Sequence, residues 1–276
     1  MHSTVQGKPQ EKPQKKPSSS FDLPLSSQCP VTLTLPKAYE SSDNKANHYP
    51  VVYVLDGQLL EGVTLGVLDY LRITQTQAEV IVVAIASHHR SADFTPVQSD
   101  VQSNAPHESL TQAFFQGSGG ADKLLEFLTH TLIPYVDSHY RTQPRRTLIG
   151  YSLSGLFALY SLFQTRSVFH YCLAIDPSLW WHGQHLLAYA EKEIDAFEGR
   201  ALDKHGALSL FLCAGNTPGA AAFQLHENAQ TLHKRLETTP KFCHSHCHYF
   251  PESDHTSIVV PALYEGLRHL WQVDDQ

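Results

Sequence analysis

Thr147-Leu148-Ile149-Gly150-Tyr151-Ser152-Leu153-Ser154-Gly155 is the stretch on which the reading of this chain turns. An apolar run leads into it and a helical pattern, Leu156 to Phe163, leads out, so Ser152 stands between a strand and a helix. A serine there has the signature of a nucleophile elbow: the sharp turn lifts its hydroxyl clear of the sheet, and small residues two positions to either side let helix and strand approach. Gly150 is one small residue; Ser154 is the other, in place of the usual glycine. The same letters also fit an ordinary strand-to-helix loop, so a catalytic reading depends on finding partner residues.

Outward from the elbow, short apolar runs recur at Val51 to Leu55, Val80 to Ala86, Tyr171 to Ile175 and Leu208 to Cys213. Such runs suit parallel strands covered on both faces. Val31-Thr32-Leu33-Thr34-Leu35 alternates instead, as a half-buried outer strand would. Between the runs lie helical patterns, with Leu124, Leu125, Phe127, Leu128, Leu132, Ile133 and Val136 on one face and Leu263, Leu267, Leu270 and Trp271 on another. Strands alternating with helices predict an α/β fold, a doubly wound, mostly parallel sheet with helices on both faces. Two long irregular stretches, residues 87 to 121 and 176 to 206, interrupt the rhythm. Loops of that length in a compact α/β domain are often functional, and in such sheets ligands gather where they begin.

Composition narrows the classes. With 276 residues, 42% of them hydrophobic, the chain can bury a full core. Residues 1 to 20 hold four lysines and one glutamate, so the remainder carries a formal −10 within the total of −7. A body of that sign argues against a nucleic-acid partner. Residues 1–28 read as a disordered, basic, Pro-rich tail and 29–276 as a single domain. No apolar run reaches the length of a membrane span and no secretory signal is seen, which makes a cytoplasmic location with no membrane partner the expectation. Oligomeric state is not legible. Five scattered cysteines do not form a disulfide framework, and Cys172 and Cys213 read as inert thiols inside strands.

A serine nucleophile needs a base that follows it in the chain. Among 18 histidines, His255 in Pro251-Glu252-Ser253-Asp254-His255-Thr256-Ser257 lies between a strand-like run and the final helix, where a loop can carry imidazole over the elbow. For the acid that orients it, Asp176 directly follows the Tyr171 to Ile175 strand; Glu227 further along and a dyad without an acid are the alternatives. Asp176 also fits a turn or cap before Pro177. Backbone N–H groups of Leu153 and Gln58 are the expected oxyanion donors; the alternative for Asp56-Gly57-Gln58 is a simple turn in which Asp56 caps nearby backbone. Trp180 and Trp181 would then wall the pocket, although paired aromatics are as often plain core.

Cys243-His244-Ser245-His246-Cys247-His248 is dense in possible zinc ligands. On a strand, the histidines point to one face and the cysteines to the other, so no tetrahedral set converges. Neither a metal nor an organic cofactor is expected.

Taken together, several motifs resemble the esterase family of α/β hydrolases. They are Tyr49 to Gly57, Arg90 followed by Asp93-Phe94-Thr95-Pro96, Gly119-Gly120-Ala121-Asp122, Ile133-Pro134-Tyr135, Gly150 to Gly155, Pro177-Ser178-Leu179-Trp180-Trp181 and Asp254-His255. The family includes siderophore trilactone esterases, feruloyl and acetylxylan esterases, S-formylglutathione hydrolase and mycolyl transferases. The resemblance implies an α/β hydrolase fold, a small-molecule ester substrate, Ser152 as nucleophile, His255 as base, and Gln58 and Leu153 amides as oxyanion donors. It implies further that Arg90 faces the substrate, although Arg90 could equally pair with Asp93. The block around Trp180 is most like the siderophore branch, in which serine is expected where Asp176 stands. Acyl transfer to an alcohol on the same scaffold, or a silent binding module, are the other readings of these residues.

Overall fold

The apolar runs pair into one sheet in the computed structural model, which describes residues 20–23, 29–41, 45–75, 79–104, 111–164, 168–197, 208–217, 223–239 and 244–272. Its strands are β1 (Ser20–Leu23), β2 (Val31–Thr34), β3 (Tyr49–Leu55), β4 (Ile81–Ile85), β5 (Thr142–Tyr151), β6 (Tyr171–Ile175), β7 (Ser209–Gly215) and β8 (His244–Phe250). They lie in the order β1-β2-β4-β3-β5-β6-β7-β8. From β4 to β8 every neighbouring pair is parallel, while β1 and β2 pair antiparallel at one edge.

Nine α-helices alternate with these strands among the described residues: α1 (Gly57–Gln75), α2 (Arg90–Asp93), α3 (Gln112–Phe115), α4 (Ala121–Phe127), α5 (Ile133–His139), α6 (Leu153–Leu162), α7 (Trp181–Phe197), α8 (Leu225–Glu237) and α9 (Val259–Gln272). A π-helical turn, Leu128–Leu132, joins α4 to α5. The apolar face expected over residues 124 to 136 therefore stays continuous, with Leu124, Leu128, Leu132, Ile133 and Val136 buried.

Side chains of a strand alternate between faces, and both faces here are covered. Val51, Tyr53 and Leu55 join Leu148, Cys172, Leu210 and Leu212 in a core shared with α4 to α8. Val52 and Val54 join Ile149, Leu173, Ile175 and Phe211 in a second core under α1 and α9. This is why β3, β6 and β7 read as unbroken apolar runs. Leu148 and Leu173 are fully buried, and truncating either to alanine would cost about 2–5 kcal/mol. The Cys172 and Cys213 thiols lie fully buried in β6 and β7, and burial pushes both pKa values well up, so neither is a thiolate near neutral pH.

Two boundaries differ from the sequence reading. β1 lies inside the stretch read as tail: its four residues pair with β2 and Leu23 is buried against the core, so β2 is not the outermost strand. Residues 1–19 lie outside the described residues. β5 begins at Thr142, five residues before the apolar run, because Thr142 and Arg146, in a mostly polar stretch, still pair with Tyr49 and Val51 of β3 at the sheet's end.

Because the central strands are parallel, their carboxyl ends gather at one edge, where β3, β5 and β6 release Asp56, Ser152 and Asp176. The two long irregular stretches meet above this edge. Trp181 Nε1 donates to the Val97 carbonyl at 3.0 Å, and the His182 N–H donates to Asn104 Oδ1 at 2.7 Å. Their remainders, 105–110 and 198–206, lie outside the described residues. No helix among the described residues is long and apolar enough to cross a membrane.

Candidate active site

Ser152 occupies the turn between β5 and α6 with φ 60° and ψ −118°, a conformation L-residues avoid and that a nucleophile elbow requires. Its N–H donates to the Ile175 carbonyl at 3.0 Å, and its own carbonyl accepts from Leu156 and Ser178 N–H groups at 3.0 Å each. Gly150 is obligatory: a Cβ there would overlap the Ser154 carbonyl oxygen.

His255 arrives from the loop between β8 and α9. The loop is shaped by Asp254, whose Oδ1 accepts from the Thr256 and Ser257 N–H groups at 3.0 and 2.8 Å and from both hydroxyls at 2.8 Å. These hydrogen bonds, the Ser257 N–H above all, hold the Asp254 carboxyl well below the usual carboxylate range. Tyr151 steadies the imidazole itself, its ring lying 4.8 Å from that of His255 and its hydroxyl donating to the His255 carbonyl at 2.5 Å. Burial pushes the Tyr151 phenol up to about 12, so it remains a donor.

So held, His255 Nε2 lies 3.1 Å from Ser152 Oγ and Nδ1 lies 2.5 Å from Asp176 Oδ2. Asp176 is fully buried and sits at φ 43°, with Oδ1 accepting the Gly215 N–H at 3.1 Å. A carboxylate accepts, so the imidazole tautomer with its proton on Nδ1 suits Asp176 and leaves Nε2 able to accept from the serine. Of the acids weighed from the sequence, the fold brings Asp176 to the imidazole; Glu227 lies in the first turn of α8. Asp254 faces its own loop.

Gln58 and Leu153 stand in the first turns of α1 and α6, where backbone N–H groups have no acceptor within the helix. The Gln58 side chain is used elsewhere, exchanging hydrogen bonds of 3.2 Å with both backbone groups of Ser87.

The side chains bear on three of these readings. Arg90 does not pair with Asp93, which instead accepts from Ser87 Oγ at 2.6 Å. Its guanidinium grips Asp56 through Nε and Nη2 at 2.8 and 3.0 Å and stays 31% exposed. Asp56 accordingly does not cap its turn with its carboxylate; its backbone carbonyl receives the Leu59 and Leu60 N–H groups. Trp180 and Trp181 are buried, Trp180 against Phe223 at 4.7 Å and Trp181 against Phe115 at 5.2 Å.

Two neighbours were not foreseen. Tyr151 is an ordinary strand residue in the sequence, and only the fold turns it toward His255. Ser178 is buried with Oγ 3.4 Å from Ser152 Oγ, a placement that nothing in Pro177-Ser178 announces. On β8, His246 stacks on His269 of α9 at 4.4 Å while Ser245 bonds His233 of α8, so successive side chains take opposite faces. Cys243 lies outside the described residues. Among them, no group of three or more His, Cys, Asp or Glu is arranged to hold a metal ion.

A mostly parallel sheet with helices on both faces, and a positive-φ serine between β5 and α6, define the class: an α/β hydrolase. The chain belongs to the family described as Putative esterase, whose model matches residues 24–268, and it is a carboxylic ester hydrolase. A siderophore enterobactin esterase of Emericella nidulans is 27% identical over 263 residues, covering 84% of this chain and 85% of that protein. An IroE-like serine hydrolase from Shewanella oneidensis is 27% identical with a TM-score of 0.74, covering 92% of this chain and 79% of its own. The siderophore hydrolase EstA from Aspergillus nidulans shares the fold, with a TM-score of 0.79 at 23% identity over 98% of this chain and 99% of that one.

Proposed function

We propose that this ester hydrolase works through an acyl-enzyme on Ser152 and that its substrates are small esters of the siderophore type. One observation carries the mechanism: the unbroken run from Asp176 Oδ2 through both imidazole nitrogens to Ser152 Oγ, at 2.5 and 3.1 Å. Ser152 Oγ attacks the ester carbonyl carbon while its proton passes to His255 Nε2, and Asp176 stabilises the imidazolium that results. The Gln58 and Leu153 N–H groups receive the oxyanion. Collapse expels the alkoxide, which takes the proton from Nε2. Water then attacks the acyl carbon, yields a proton to the same nitrogen, and Ser152 leaves with it.

The substrate class rests on the relatives, two of which carry siderophore hydrolysis in their names. Arg90 supports it: partly exposed while gripping Asp56, it can meet a polar arm of the ester.

The test is turnover of a catecholate trilactone beside p-nitrophenyl esters of rising chain length, in the parent and in Ser152→Ala. The expected result is trilactone cleavage that falls by about 10⁴-fold or more in the variant. Activity confined to short acyl chains would overturn the substrate class, and undiminished turnover by Ser152→Ala would overturn the mechanism.

A further inference from the structure

Ser154 departs from the glycine usual two places after the nucleophile, and its side chain has a specific place to go. It is fully buried, its Oγ accepts the Tyr151 N–H at 2.8 Å, and it lies 2.6 Å from Asp56 Oδ2. The Tyr151 carbonyl, at 2.9 Å, is a second possible acceptor for the one hydroxyl proton. The carboxylate is both nearer and charged, so the proton goes to Asp56.

That hydrogen bond completes a set. Asp56 Oδ1 accepts from Arg90 Nε at 2.8 Å and Gln58 Nε2 at 3.3 Å; Oδ2 accepts from Arg90 Nη2 at 3.0 Å and Ser154 Oγ at 2.6 Å. Four donors meet the four acceptor positions of a fully buried carboxylate. Asp56 lies two residues before Gln58, and Ser154 follows Leu153 directly. Their hydrogen bond therefore ties together the two backbone segments that carry the oxyanion donors.

We propose that Ser154 is a positioning residue, a strap that sets the spacing between the Gln58 and Leu153 N–H groups. The inference rests on the serine mechanism proposed above. Beyond the ladder between β3 and β5, a glycine at this position leaves Arg90, which grips Asp56 and reaches the Tyr151 carbonyl at 3.4 Å, as the side chain that links the two turns among the described residues. Donors in an oxyanion site act through geometry, and small misplacements are costly in rate and nearly silent in substrate binding.

The experiment compares the parent with Ser154→Ala and Ser154→Gly. The glycine variant carries the residue an elbow ordinarily has, which secures its folding. Both should lower kcat about 10- to 100-fold with KM held within about twofold. Affinity for a trifluoromethyl ketone, which forms the tetrahedral adduct, should fall in parallel with kcat/KM. A kcat within about twofold of the parent in both variants, or a loss carried by KM alone, would overturn the strap, whatever happens to melting temperature. Ser152→Ala run beside them separates the two levels: if it keeps turnover, the serine mechanism itself has failed, whereas a dead Ser152→Ala with fully active Ser154 variants removes only the strap.

Discussion

Asp56 and Asp176 are the same residue in nearly the same setting. Each follows the last residue of a parallel strand, each is fully buried, and each takes a left-handed backbone, with φ 53° and 43°. Their partners differ. Asp56 faces a guanidinium whose charge is permanent, backed by an amide and a hydroxyl; Asp176 faces an imidazole that, in the proposed mechanism, takes the Ser152 proton and becomes charged. One buried carboxylate is thus neutralised at all times and fixes structure. The other, in that mechanism, is matched to a charge that appears during reaction, which is where electrostatic stabilisation raises rate rather than stability.

The sharpest way to break this contrast is to replace each carboxylate by its amide. Asp176→Asn should lower kcat by about 10⁴-fold, because an amide can hold the imidazole in the wrong tautomer, while unfolding stability changes by about 1 kcal/mol or less. Steady-state kinetics and urea unfolding of the same preparation check both halves. Asp56→Asn should reverse the balance. It leaves the Arg90 guanidinium against a neutral group, lowering stability by about 3 kcal/mol, with the rate falling far less than for Asp176→Asn. Equal kinetic losses in the two variants would erase the distinction.

A smaller effect should separate the two sides of the site by pH. The loop bearing His255 is braced by β8 and α9, whose seam holds His246 against His269. Burial, and then the nearby His269, His248 and His233, hold His246 below its ordinary 6.5; burial, and then His244 and Arg268, do the same for His269. The unfolded chain therefore takes up these protons first, so stability is whole above pH 6.5 and drains away as pH falls toward the lowered folded values. Urea midpoints measured across that range should decline with acid, and His246→Phe should flatten the decline. Hydrogen exchange should open the His255 loop before the Asp56 turn. An unchanged slope in His246→Phe would assign the acid sensitivity elsewhere.

Much of this was legible beforehand because it follows from period and order. Runs such as Tyr171 to Ile175 could only be strands buried on both faces, and a serine between strand and helix followed by a loop histidine carries its own logic. What escaped the sequence was where side chains point. Arg90 has Asp93 three residues away and Asp56 34 residues away, and it chose the distant one because β3 and β4 are parallel neighbours whose ends meet. Ser154 read only as a small residue in place of the usual glycine because the carboxylate it bonds lies 98 residues earlier. Tyr151 and Ser178 gave no signal at all, since their roles exist only once β5, β6 and the final loop converge. β1 was hidden by its neighbours: four residues of strand at the end of a lysine- and proline-rich stretch have no period to read.

The central claim is that the hydroxyl of Ser152, through His255 and Asp176, is the group that takes the acyl chain. Intact-mass and peptide mapping of enzyme quenched during turnover of a slow p-nitrophenyl ester addresses it directly. The account predicts one acyl group per chain, on the peptide holding Ser152, absent from Ser152→Ala and strongly diminished in Asp176→Asn. An acyl group on another residue, or full turnover with no covalent intermediate and no loss in Ser152→Ala, would contradict it.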